Sequence, residues 1–115
     1  MTPIEVDFVS QRIAAVALAR GDRAEDQIVE KILAEVPEAK EDAVRKMVSL
    51  LQSILNEVKI AIPKIVKKRD DPAYPDLEKW KVQAFISQIM SAHSTFDKQA
   101  LESLIDGAHY YDFLR

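Results

Sequence analysis

From Ala43 to Ile62 an apolar residue returns every three or four positions: Ala43, Val44, Met47, Val48, Leu51, Ile54, Leu55, Val58 and Ile62. This is the 3.6-residue period of an α-helix, not the two-residue alternation of a half-buried strand. Sustained over this length, it commits the stretch to one long helix with a single buried stripe. An isolated helix of this kind is marginal in water, so other apolar faces must cover the stripe.

Those faces are visible elsewhere in the chain. Ile28, Val29, Ile32, Leu33 and Val36 form a second stripe. Leu77, Trp80 or Lys81, Val82, Phe85, Ile86 and Ile89 form another, and Ala100, Leu101, Leu104, Ile105, Ala108 and Tyr111 a further one. The run Ile13-Ala-Ala-Val-Ala-Leu-Ala19 is apolar on every face. Such a helix is either central in a bundle, which is the favoured reading, or supplies a surface to a second copy, so residues 13–19 are also a possible homodimer face. Hairpins need Gly, Asn or Asp at tight turns, yet there are only 2 glycines and Asn56 is the single asparagine. The expectation is an all-α antiparallel bundle of four to five helices, one domain over residues 1–115.

Local signals set the boundaries. Thr2-Pro3-Ile4-Glu5 reads as a capping box with Pro at the first helical position, and Met1 and Val6 are spaced as a hydrophobic staple. Gly21 is a natural stop. Asp22-Arg23-Ala24-Glu25 reads as a second capping box, and Pro37 ends that helix at or before Val36. The long helix is expected from about Glu38, with outer-face ion pairs Glu41–Arg45 and Asp42–Lys46. Pro63 removes an amide and crowds the Lys59 carbonyl, which predicts a kink near Ile62, or a separate turn through about Arg69. Asp70-Asp71-Pro72-Ala73-Tyr74-Pro75 is the clearest loop. A fourth helix is expected from Pro75 or Asp76 to Ala92. A fifth is expected near Asp97, with Asp97 as its cap and Phe96 and Leu101 as its staple. Gly107 should weaken that last helix by about 1 kcal/mol relative to alanine.

Several function classes fall away. There is no cysteine, so disulfides, thiolate zinc sites and cysteine nucleophiles are excluded together, a composition compatible with the cytoplasm. The net charge of −3 lacks the basic footprint that duplex binding relies on. No apolar run approaches the roughly 20 residues of a membrane span. Residues 13–19 faintly resemble a signal-peptide core, but Glu5 and Asp7 stand where such a leader carries positive charge. Neither a Gly-x-Ser-x-Gly nor a glycine-rich phosphate loop is present, so no cofactor is expected.

Four features remain. His93 and His109 each have acids nearby, Asp97 for the first and Asp106 and Asp112 for the second. Asp106-x-x-His109 resembles half of the Glu-x-x-His pattern of bundle di-metal proteins, but no Glu-x-x-His accompanies it. A helix-terminal histidine explains His93 more simply. Lys64-Ile-Val-Lys-Lys-Arg69 is a basic cluster that could contact phosphate, or could simply answer the carbonyls of a helix end. Residues 22–42 hold eight acids against three bases, an acidic strip able to steer a basic partner. The C-terminus gathers Tyr110, Tyr111 and Phe113, of which Tyr110 falls off the helical stripe. Trp80 and Tyr74 form a second aromatic pair, either a partner anchor or a bundle cap.

On these grounds the chain reads as a non-enzymatic protein–protein interaction module: a regulator, an adaptor or a toxin-neutralising inhibitor. Its candidate contacts are Glu35, Glu38, Glu41, Asp42, Tyr110 and Phe113, and its partner is expected to be a basic protein, for which a nuclease would fit. A nucleic-acid-associated small subunit using Lys64–Arg69 and a metal-dependent helical enzyme are the competing readings.

Overall fold

A computed structural model describes residues 2–21, 24–65 and 78–110 of the chain. Five helices follow one another: α1 (Pro3–Ala19), α2 (Glu25–Glu35), α3 (Glu41–Ile65), α4 (Lys79–Ala92) and α5 (Lys98–His109). No strand occurs among the described residues. The architecture is the expected all-α bundle.

Each boundary has a local cause. The Thr2 hydroxyl accepts from the Glu5 amide at 3.2 Å, and the Glu5 carboxylate accepts from the Thr2 amide at 3.3 Å. Two of the orphan donors at the start of α1 are thereby satisfied. At the other end Gly21 adopts φ +91, a left-handed conformation that side chains resist, and the helix stops there. The second capping box does not form as expected. Ala24 is the N-cap of α2 and makes no side-chain cap, while Asp22 lies outside the described residues. Glu25 instead turns across to α3, where its carboxylate accepts from the Ser49 hydroxyl at 2.8 Å.

The α2–α3 connection is also longer than expected. Pro37 and Glu38 are in a turn, so α3 begins at Glu41 rather than near Glu38. A proline followed two residues later by the Ala39 amide bonding back to the Val36 carbonyl at 3.0 Å gives a closed corner, not a first helical turn. The α3 helix continues through Pro63 to Ile65. Beyond it, the loop expected at residues 70–75 and the expected start of α4 at Pro75 or Asp76 lie outside the described residues, and α4 is helical from Lys79.

The stripes meet in one core. Ile28, Val29, Ile32, Val44, Val48, Leu51, Ile54, Leu55, Val58, Ile62, Leu101, Leu104 and Ile105 are all buried in it. Full burial of each such side chain contributes about 1.5–3 kcal/mol against exposure. Ala43 departs from the expected stripe and is exposed. The apolar run of α1 occupies the centre: Ala14, Ala15, Ala17, Leu18 and Ala19 are buried, while Val16 is exposed.

Directions follow from fixed pairs. Gln11 reaches Thr95 and Asp97, and Ala19 lies against Gly107, so α1 and α5 run parallel. The short corners between α1 and α2 and between α2 and α3 make those neighbours antiparallel. Small residues allow α1 and α5 their close approach. A β-carbon on Gly107 would fall 2.5 Å from the Ala19 β-carbon. The helix-weakening glycine is therefore the residue that the α1–α5 contact requires.

A buried polar clamp holds the first helix to the last connection. Gln11 is 2% exposed. Its amide nitrogen donates to the Asp7 carboxylate and to the Thr95 carbonyl, both at 3.0 Å, and its amide oxygen accepts from the Asp97 amide at 2.7 Å. Burial of this amide is tolerated because its hydrogen-bonding groups are satisfied. Asp97 has the backbone of an N-cap but makes no side-chain cap on α5. It accepts instead from Arg12 Nε at 2.6 Å, an ion pair that raises the already high Arg12 pKa.

Candidate functional site

Four of the expected contact residues fall together. Glu35 is at the C-terminus of α2, Glu38 in the corner, and Glu41 and Asp42 in the first turn of α3, all exposed. Acids are favourable at the α3 N-terminus, where the helix dipole presents partial positive charge. They are not all unanswered. Arg45 donates from Nη1 to Asp26 of α2 at 2.6 Å and from Nη2 to Glu41 at 3.5 Å. The first contact, with Asp26, is the larger cause of the raised Arg45 pKa. As an exposed bridge between two helices it is screened by solvent and contributes little to stability.

The corner borders a groove of about 400 Å³ between α1 and the start of α3. Its apolar lining includes Pro3, Val6, Ala39, Ala43, Val44 and Met47. Asp7 and Glu38 contribute carboxylates and Lys40 a single cation. Glu41 and Asp42 stand on the adjoining surface with Lys46. An apolar trough with carboxylates along its edge suits the apolar face of a segment whose flanks are basic. The exposure of Ala43, which departs from the α3 stripe, helps to open this trough.

The aromatic candidates lie elsewhere. Tyr110 caps the C-terminus of α5 and is 56% exposed. Because α5 runs parallel to α1 and Gly107 faces Ala19, Tyr110 sits beyond the C-terminal end of α1. The groove takes residues from Pro3 to Ser10 of the same helix. At 1.5 Å per residue the two places are about 20 Å apart. Phe113 lies outside the described residues.

The histidines do not converge on a reactive centre. His93 is half-buried at the C-cap of α4, edge-on to Phe96 at 5.6 Å between ring centroids. His109 is buried on α5. Asp106, one turn before it, is held above the usual carboxylate range, first by burial and then by Glu102, with His109 pulling the other way. Among the described residues no group of three or more His, Asp or Glu side chains is placed to hold a metal ion. Of the basic cluster, Lys64 is exposed near the end of α3, while Lys67, Lys68 and Arg69 lie outside the described residues.

A second apolar groove was not expected from the sequence. It lies between the C-terminal part of α3 and the N-terminal part of α4, encloses about 470 Å³, and is lined by Ile60, Ala61, Trp80, Ala84 and Phe85 among others. Ile60 is 69% and Trp80 66% exposed, an exposure that Ile4 on α1, also 66%, shares. Ile60 offered a signal, since it falls off the α3 stripe. Trp80 stood on the expected α4 stripe, with Lys81 as the alternative, and neither of the two is buried.

Comparison of the chain with protein-family models, with curated proteins and with solved structures finds no match. No helix among the described residues is long and apolar enough to cross a membrane. The described residues form an all-α bundle of five helices, and their surface carries two apolar grooves with charged borders.

Proposed function

We propose that this chain is a non-enzymatic protein–protein interaction module that docks a basic, amphipathic segment of another protein at the α2–α3 corner. The observation that carries the reading is the apolar groove lined by Asp7 and Glu38, with Glu41 and Asp42 on the adjoining surface and exposed Glu35 at the end of α2. Acidic residues alone are an ordinary solvated face. Carboxylates along an apolar trough supply both parts of a docking site: area to bury and a field to orient the incoming segment. The carboxylates raise the association rate and reject acidic competitors, while the apolar floor lengthens residence. A regulator, an adaptor or a toxin-neutralising inhibitor could each act through such a surface.

Tyr110 is a second anchor position, at the far end of α1. A partner that touches both places has to run along the bundle for about 20 Å. Aromatic side chains with an exposed polar tip are favoured as interface anchors.

The test is capture from the native cell by the wild-type protein and by a variant with Glu35, Glu38, Glu41 and Asp42 all changed to lysine. The expected result is a basic protein retained by the first and lost by the second. Equal retention by both removes the acidic corner from the proposal.

A further inference from the structure

We infer that the α3–α4 groove is a second docking site, of opposite chemistry, for an acidic amphipathic helix of a partner protein. It does not depend on the acidic corner, and neither site requires the other.

The shape argues first. The floor includes Ala61 and Ala84, whose small side chains let a third backbone approach. The walls carry Ile60 and Trp80, both more than half exposed, with half-buried Phe85 between the helices. Large exposed apolar groups on both sides of a concave strip are what an interface core needs, and scattered surface hydrophobes do not produce it. On α3 the groove runs from Glu57 to Lys64, and on α4 from Trp80 to Gln88. At helical rise each wall is about 10–12 Å long, enough for about two turns of an inserted helix.

Charge then selects the occupant. Lys64 and Lys81 line one end. The Lys81 ammonium lies 3.5 Å from the Lys64 carbonyl oxygen and 5.6 Å from the centre of the Trp80 ring. Glu57 stands at the other end of the groove. A helix bearing Asp or Glu at the Lys64–Lys81 end is therefore attracted, and one bearing acids at the Glu57 end is repelled. The site thus specifies orientation as well as sign.

Trp80 is the only tryptophan in the chain, so its emission reports on this groove alone. The experiment titrates the full chain with a synthetic leucine–glutamate amphipathic helix, and separately with its leucine–lysine counterpart and with phosphatidylserine-containing vesicles. The expected result is a saturable blue shift with the glutamate peptide and none with the lysine peptide. Ile60→Glu should abolish the shift. Lys64→Glu together with Lys81→Glu should weaken binding at least tenfold, and circular dichroism should stay unchanged because all three side chains lie on the groove surface. Unmoved emission with the glutamate peptide overturns the inference, as does an equal response to the lysine peptide. Undiminished binding by the lysine-reversed variant overturns it too. A shift with vesicles but not with the glutamate peptide assigns the patch to a lipid surface instead.

Discussion

The β-carbon of Ala19 occupies the space that any side chain on Gly107 would enter, 2.5 Å from where its first carbon would stand. Helix propensity alone says that Gly107→Ala should stabilise α5 by about 1 kcal/mol. The contact with α1 reverses that sign. Ala19 Cβ is bonded directly to the backbone and cannot swing aside, so the helices must separate, at an overpacking cost of about 1–3 kcal/mol. Gly107→Ala should therefore lower stability, by up to about 2 kcal/mol in chemical denaturation. Adding Ala19→Gly should recover part of the loss, a coupling that a double-mutant cycle measures. A Gly107→Ala variant more stable than the parent would show that α1 and α5 do not approach this closely.

Gln11 supports a second prediction. Replacing it with leucine keeps the volume but removes the acceptor for the Asp97 amide and the donor to the Thr95 carbonyl. Stranding these groups at the start of α5 should cost about 2–4 kcal/mol, since each unsatisfied buried group costs roughly 1–3 kcal/mol. Gln11→Leu should also speed amide exchange at Asp97 before it affects the centre of α3. Unchanged stability would mean that the clamp is not formed.

Asp106 carries a pH dependence. Burial and then Glu102 raise its carboxyl above the ordinary value, while His109 pulls it down. The native state thus binds this proton more readily than the unfolded chain. Its contribution to stability falls as pH rises through the interval between about 3.9 and the raised value, and the penalty is complete above that interval. Asp106→Asn should stabilise the protein at pH 7 by a few tenths of a kcal/mol, the scale of a like-charge pair four residues apart on an exposed helix. Denaturation at about pH 3.5 should show that gain gone. A gain that grows on acidification would contradict the assignment.

Much of this was legible in the sequence, because the core depends on spacing. Ile28 through Ile32, Val44 through Ile62 and Ala100 through Ala108 recur at helical period, and packing used that period as it stood. Thr2 and Glu5 were equally readable, since a capping box needs only residues close in sequence. What the sequence hid involves partners far along the chain. Asp97 looked like a cap for its own helix, but Arg12, distant in sequence, competes for its carboxylate. Gln11 carries no motif of its own. Its position three and four residues before Ala14 and Ala15 was the one sign that it shares their buried face. At the candidate site, the acidity from Glu35 to Asp42 was plain from composition. The groove beside it was not, because it needs α1 to pass the α2–α3 corner. Tyr110 and the acidic corner belong to opposite ends of α1, and nothing local in the sequence separates them.

The central claim concerns where a basic segment docks. Nuclear magnetic resonance of the isotopically labelled protein, titrated with the leucine–lysine amphipathic peptide, tests it most directly. The account predicts saturable shifts at Val6, Asp7, Ser10 and residues 38–47, weakened at least tenfold by reversing Glu35, Glu38, Glu41 and Asp42 to lysine. Shifts centred on residues 57–64 and 80–88, or no shifts at all, would contradict it.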